Sequence, residues 1–167
     1  LLIYLKYGLT FEAFIFYMLT MSFVIITFID IDHRIIPDVI SISGIPIGFL
    51  VSFALPSIST IDSLIGILAG GGILFSVLWI YHLFTGVEGM GMGDVKLFAM
   101  IGAFIGWEGV IFTIFVSSIT GTIIGLLIML PTKKGLKLAV PFGPFLSIGA
   151  ILYIFYGSEL IRWYFSV

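Results

Sequence analysis

Two short stretches of the sequence hold acids that could act on one another. The first is Asp30-Ile31-Asp32-His33-Arg34-Ile35-Ile36-Pro37-Asp38; the second is Gly86-Val87-Glu88-Gly89-Met90-Gly91-Met92-Gly93-Asp94-Val95-Lys96. They contain five of the nine Asp and Glu residues, while Glu12, Asp62, Glu108 and Glu159 stand at other segment ends. Any one Asp near a helix start can be an ordinary N-cap. Asp30 fits that reading worst, because it ends a long apolar run, where a carboxylate meets the negative end of a helix dipole. Asp94 is placed oppositely: it follows a glycine-rich turn and opens the next helix, where the dipole favours charge. Two carboxyls in contrasting surroundings suit a pair that shares a proton, one member taking a proton from water and the other polarising a carbonyl. The expected allocation makes Asp94 the base and Asp30 the acid. Asp32 and Glu88 rank behind them as alternatives. Gly91 and Gly93 lack a Cβ, so backbone or an extended peptide can come close beside Asp94.

Other chemistries lack their parts. With no cysteine there is no thiolate ligand, thiol nucleophile or disulfide. The two histidines, His33 and His82, lie on different segments, and a metal site needs about three or four converging ligands. No metal is expected. The serines have no partner set for a Ser-His-Asp triad.

The elements that must position the acids are set by composition. Of 167 residues, 60% are hydrophobic and 10% charged, with a mean hydropathy of +1.29. A soluble domain carries about 25% charged residues, so lipid is the solvent that stabilises this chain. A net charge of -2 with no basic tract gives no reason to expect nucleic acid. A bilayer core needs about 20 apolar residues per helix. Six candidate spans follow: Leu9 to Ile29, Val39 to Leu55, Leu64 to Phe84, Val95 to Ile105, Val110 to Leu130, and Pro144 to Phe165. Long apolar runs without alternation are helices rather than barrel strands. The expected fold is therefore all-α, a polytopic transmembrane bundle of about six helices. Its connections are too short for a soluble domain, so residues 1–167 read as one membrane domain. Leu1-Leu2-Ile3-Tyr4 reads as the tail of an apolar segment whose beginning is missing.

If the spans alternate, one face receives Arg34, Lys96, Lys133, Lys134 and Lys137, and the other only Lys6 and Arg162. That asymmetry puts the first face, with Asp30, Asp32, Asp38, Glu88 and Asp94, in the cytoplasm. The pairs Gly44/Gly48, Gly66/Gly70, Gly102/Gly106 and Gly121/Gly125 have the spacing of close helix packing.

Taken together, Ile29 to Asp38 and Gly89-Met90-Gly91-Met92-Gly93-Asp94-Val95-Lys96-Leu97 resemble the two catalytic motifs of the type IV prepilin peptidases, membrane aspartic proteases of the Gly-x-Gly-Asp type. Ile101-Gly102-Ala103-Phe104-Ile105-Gly106-Trp107 and Pro141-Phe142-Gly143-Pro144-Phe145-Leu146 are similar to later segments of that family. The resemblance implies Asp30 and Asp94 as the catalytic pair, with Asp38, Gly91, Gly93 and Lys96 at supporting motif positions. It implies a bacterial enzyme of the cytoplasmic membrane, working on the cytoplasmic side. Its partners would be prepilin or pseudopilin precursors and membrane lipid, cut after a glycine ahead of an apolar helix. Their products would serve type IV pili, type II secretion or DNA uptake. Proteolysis would need no cofactor; S-adenosylmethionine enters only if the intact protein also methylates. Members with that activity often carry a cysteine-bearing segment that these residues lack. The sequence sets no oligomeric state. The same chemistry on another substrate, as in presenilin-like proteases, is a first rival, which the Ile36-Pro37-Asp38 ending disfavours. A proton-relaying transporter is a second, disfavoured because its acids would sit near the midplane.

Overall fold

A computed structural model describes residues 2–86, 91–132 and 141–165. The described residues form helices and connecting turns, with no strand among them. The helices are α1 (Leu2–Tyr7), α2 (Phe11–His33), α3 (Asp38–Ser52), α4 (Thr60–Thr85), α5 (Met92–Thr132) and α6 (Gly143–Phe165). Helices α2 and α4 and the segment Met92–Ile128 of α5 are long and apolar enough to cross a membrane; Asp38–Val51 and Gly143–Gly157 are shorter apolar helices. The chain is an integral membrane protein of all-helical fold, as its composition requires.

Local signals set the helix ends. Thr10 caps α2 by accepting from the Ala13 N–H at 3.1 Å, and Ser59 caps α4 by accepting from Ile61 N–H at 3.2 Å. Helix α2 stops where Arg34 turns left-handed at φ 57° and donates its N–H to the Asp30 carbonyl at 2.9 Å. Helix α3 starts immediately after Pro37, whose fixed φ suits a helix entry. It ends at Ser52, three residues short of the expected Leu55, because the chain turns ahead of Pro56. Leu2–Tyr7 forms the short helix α1, ended by Gly8 at φ 65°. Tyr7 Oη donates to the Ile154 carbonyl at 2.8 Å, fastening α1 to α6.

The fourth and fifth expected spans are the two arms of α5. Gly106 interrupts it with φ 72° and ψ -178°, a conformation that suits residues without a Cβ. The chain reverses there. Asp94 lies beside Asp30 at one end of the bundle, and Gly121, which touches Phe142 and Phe145, has returned to that same end. Gly106 sits at the other end, against Ile58 and Asp62.

The first arm of α5 is the axis of the fold. Leu97, Phe98, Ile101 and Ala103 are completely buried, and α3, α4 and α6 all pack on α5. Glycines decide how close. A Cβ on Gly66 would lie 2.3 Å from the Gly102 carbonyl oxygen, and one on Gly102 would lie 2.0 Å from that of Gly66. On Gly70 it would meet the Phe98 carbonyl oxygen at 2.3 Å, so α4 and α5 touch backbone to backbone. In lipid, where apolar burial does not drive helices together, such close packing is a main source of association. Gly44 and Gly48 admit Met100 and Phe104 in the same way. Gly121/Gly125 differs: Gly121 has ordinary contacts only, and Gly125 faces open space, so that spacing carries no seam. Hydroxyls reinforce the core. Ser63 Oγ donates to the Ala103 carbonyl at 2.7 Å, and Ser117 Oγ reaches the Phe145 carbonyl at 2.9 Å.

Candidate active site

The starts of α5 and α6 and the end of α2 converge on Asp30. It occupies the last turn of α2 and is 5% exposed, although the fold around it is almost wholly apolar. Its Oδ2 accepts the backbone N–H of Gly143, the first residue of α6, at 3.0 Å. Gly143 must be small: a Cβ there would stand 2.6 Å from that same oxygen.

Asp94 lies in the first turn of α5, its N–H bonded to the Gly91 carbonyl at 3.2 Å. It is half-buried and within electrostatic reach of Asp30. Its Oδ1 is shut away from solvent with no hydrogen-bond partner among the described residues. Two acids 64 positions apart in sequence, by 94 − 30, are therefore brought within electrostatic reach of each other at one end of the bundle.

Ile36 wedges the site together. It is buried in the short α2–α3 connection; a Cβ on Gly93 would be 3.0 Å from its Cβ, and one on Gly143 would be 3.3 Å from its Cδ1. The connection after Asp30 thus packs on the turn before Asp94 and on the start of α6. Gly93 is small for this reason. Gly91 is not under the same constraint, since a Cβ there would meet Asp94 Oδ2 at 3.9 Å, an ordinary contact.

Asp38 and Lys96 are joined to each other rather than to the pair. Lys96 Nζ lies 2.8 Å from Asp38 Oδ1 and 2.9 Å from Oδ2, tying the first turn of α3 to that of α5. Asp32 is exposed on the end of α2 and takes no part, while Glu88 lies outside the described residues. No group of three or more His, Asp or Glu residues able to hold a metal occurs among the described residues. Sequence reasoning gave Gly143 and Ile36 no role. The Pro141-to-Leu146 motif was the available signal for Gly143, but a backbone N–H leaves no mark in residue type.

A helical membrane protein with two carboxyls in electrostatic reach of each other at one end of its bundle has the parts of a membrane aspartic hydrolase. A family model described as the type IV leader peptidase family matches residues 15–126. The chain belongs to that family. It is 34% identical to a prepilin leader peptidase/N-methyltransferase of Pseudomonas putida over 155 residues, 93% of this chain and 54% of the relative. The Pseudomonas aeruginosa protein of the same description is 35% identical over 158 residues, 95% of this chain and 54% of its own length. That of Legionella pneumophila is 36% identical over 143 residues, 83% and 48% of the two chains. The chain thus spans about half the length of the curated relatives it matches. No solved structure matches it.

Proposed function

We propose that this chain is the proteolytic part of a prepilin leader peptidase, and that Asp30 and Asp94 hydrolyse the bond between a basic leader and an apolar helix. The observation that carries the reading is a buried Asp30 and a half-buried Asp94, in one another's electrostatic reach, at the meeting of three helix ends. The basic residues flanking that end support a cytoplasmic active site in the bacterial inner membrane. The substrates would be prepilins or pseudopilins, whose basic leader stays in the cytoplasm.

In this mechanism the ionised carboxylate takes a proton from water. The water oxygen bonds to the scissile carbonyl carbon, while the protonated carboxyl gives its proton to the carbonyl oxygen. The tetrahedral intermediate then breaks at its C–N bond, and the nitrogen leaves with a proton from the dyad. The hydrogen bonding supports Asp30 as the charged member, the reverse of the allocation expected from helix dipoles alone. Its oxygen already accepts a backbone N–H at the start of α6, a donor set and dipole end that suit a carboxylate. Asp94 Oδ1 is buried without a partner, a setting that suits the protonated carboxyl better than the charged one. The relatives are also named N-methyltransferases; the described residues of this chain offer no argument for that activity, which would call on S-adenosylmethionine only if the intact protein methylates.

The deciding experiment is cleavage of a prepilin by the purified protein beside its Asp30→Asn and Asp94→Asn variants. Each variant should fold and lose at least about 10²-fold in rate, the scale of general acid–base catalysis. Undiminished cleavage in both would remove the dyad. Loss in only one would move the second role to Asp32, Asp38 or Glu88.

A further inference from the structure

Helices α2 and α3 are consecutive and joined by only four residues, Arg34 to Pro37, yet they do not pack closely on each other. Helix α2 packs chiefly on α6 and α3 chiefly on α5. Between them runs a partly open slot of about 280 Å³. Met18 and Ser22 of α2 form one wall, Ser43 and Ile47 of α3 the other, and the buried Met100 and Phe104 of α5 the floor. Exposed apolar side chains are unremarkable in lipid, but an unfilled gap beside the catalytic end is not, because lipid-facing helices gain by packing.

We propose that this slot seats the apolar helix that follows the scissile bond of the substrate, an inference that rests on the function proposed above. The slot is built on the helices that carry the dyad. Its floor lies on the helix that carries Asp94, one wall on the helix whose last turn holds Asp30, and the other on the helix that begins at Asp38, just past Ile36. A helix that starts at the cut must descend into the membrane beside these two acids. Around them, α4 and α6 already cover the other sides of α5, and α6 covers α2. Among the described residues, the α2–α3 gap is the opening left. Depth agrees as well. Met100 is six residues past Asp94 and Ser22 eight residues before Asp30, which at 1.5 Å per residue is about 9–12 Å from the dyad. Side chains about six to eight residues beyond the cut would therefore reach the slot. Its small wall residues, Ser22 and Ser43, with Gly44 beneath, suit close approach of a second helix backbone.

Two measurements test this together. In the first, Ser43→Trp and Ile47→Trp narrow the slot without entering the core, since both positions are exposed. Cleavage is followed for a full precursor with its apolar helix and for a short peptide that spans the bond but lacks the helix. For the precursor, KM should rise about tenfold with kcat held, the signature of lost substrate binding. The peptide should be cut as before. An equal loss on both substrates, or no effect on either, overturns the slot while leaving the dyad intact. The second measurement does not depend on turnover. Because the chain has no cysteine, Ser43→Cys can be paired under oxidation with a precursor carrying one cysteine eight residues past the cut, with Ser76→Cys on the exposed face of α4 as control. A disulfide at Ser43→Cys and not at Ser76→Cys supports the slot even if the parent cuts nothing, in which case the proposed function fails alone. Equal or absent cross-linking at both positions means lipid fills the gap, and the proposal falls.

Discussion

Acids gather at both ends of this bundle, and their surroundings differ. At the Gly106 end, Glu159 is exposed and paired with Lys6 at 3.3 Å. Asp62 and Glu108 line an open cavity of about 80 Å³ with Tyr153. Those carboxylates keep either water or a cation, which is the ordinary way to place a charge near a membrane. At the other end, Asp30 is buried and Asp94 half-buried, and neither has a cation among the described residues. Lys96, the nearby cation on the next turn of α5, is engaged by Asp38. Burying carboxyls together without a cation costs stability unless a proton or a hydrogen bond offsets it. The comparison teaches that local acid content does not mark the site. What sets Asp30 and Asp94 apart is two acids in one another's electrostatic reach, one of them fully buried, with no cation on either among the described residues.

The comparison breaks first on charge removal. Neutralising Asp94 as Asn should cost at least about 10²-fold in prepilin cleavage. Glu108→Gln at the far end should leave the rate within about twofold, since surface substitutions away from such sites have small effects. Assaying both variants at equal membrane abundance separates a lost catalytic group from a lost fold. Similar losses in the two would mean that the ends are not functionally distinct.

The next effect belongs to Gly143. Its N–H is the one hydrogen bond that Asp30's side chain receives among the described residues. Gly143→Ala keeps that N–H but brings a Cβ to within 2.6 Å of Asp30 Oδ2, so the carboxyl must move. A displacement of about 1 Å at a catalytic group can cost about 10²-fold. The expected result is a fall in kcat at near-constant KM, with thermal unfolding little changed. If kcat survives, the α6 start is only a neighbour of the site.

What was legible beforehand follows from the range of each interaction. Apolar runs are local, so α2, α4 and the two arms of α5 could be read from composition, and the break near Gly106 from the polar, small residues there. That Asp30 and Asp94 come near each other was legible because both acids are unusual where they stand, one at the end of an apolar run and one at the start of another. The Asp38–Lys96 pairing joins residues 58 apart, and Gly143 reaches Asp30 across 113 residues. Neither partner's type announces such a contact. Glycine spacing was ambiguous for a related reason. Gly66 and Gly121 each stand four residues before another glycine, and only the facing helix, with Gly102 opposite the first, makes one a seam.

The smallest effect should come from the pair that the dyad lacks. Asp38 and Lys96 form an ion pair, with side chains 58% and 31% exposed, respectively. Exposed pairs contribute about 0–1 kcal/mol, so Lys96→Met should barely move unfolding. Its effect on cleavage reports something else. Lys96 holds the first turn of α3 to that of α5, and Ile36, two residues before Asp38, packs on Gly93 and Gly143. If that tie positions the dyad, Lys96→Met should lower kcat by about threefold to tenfold, far less than removal of a dyad acid. The charge-swapped double variant, Asp38→Lys with Lys96→Asp, restores an ion pair in the reverse sense and should recover most of the loss. A double-mutant cycle on kcat measures the coupling directly. Additive losses in the cycle would assign Asp38 and Lys96 separate roles, and would leave Ile36 packing as what holds the two acids in register.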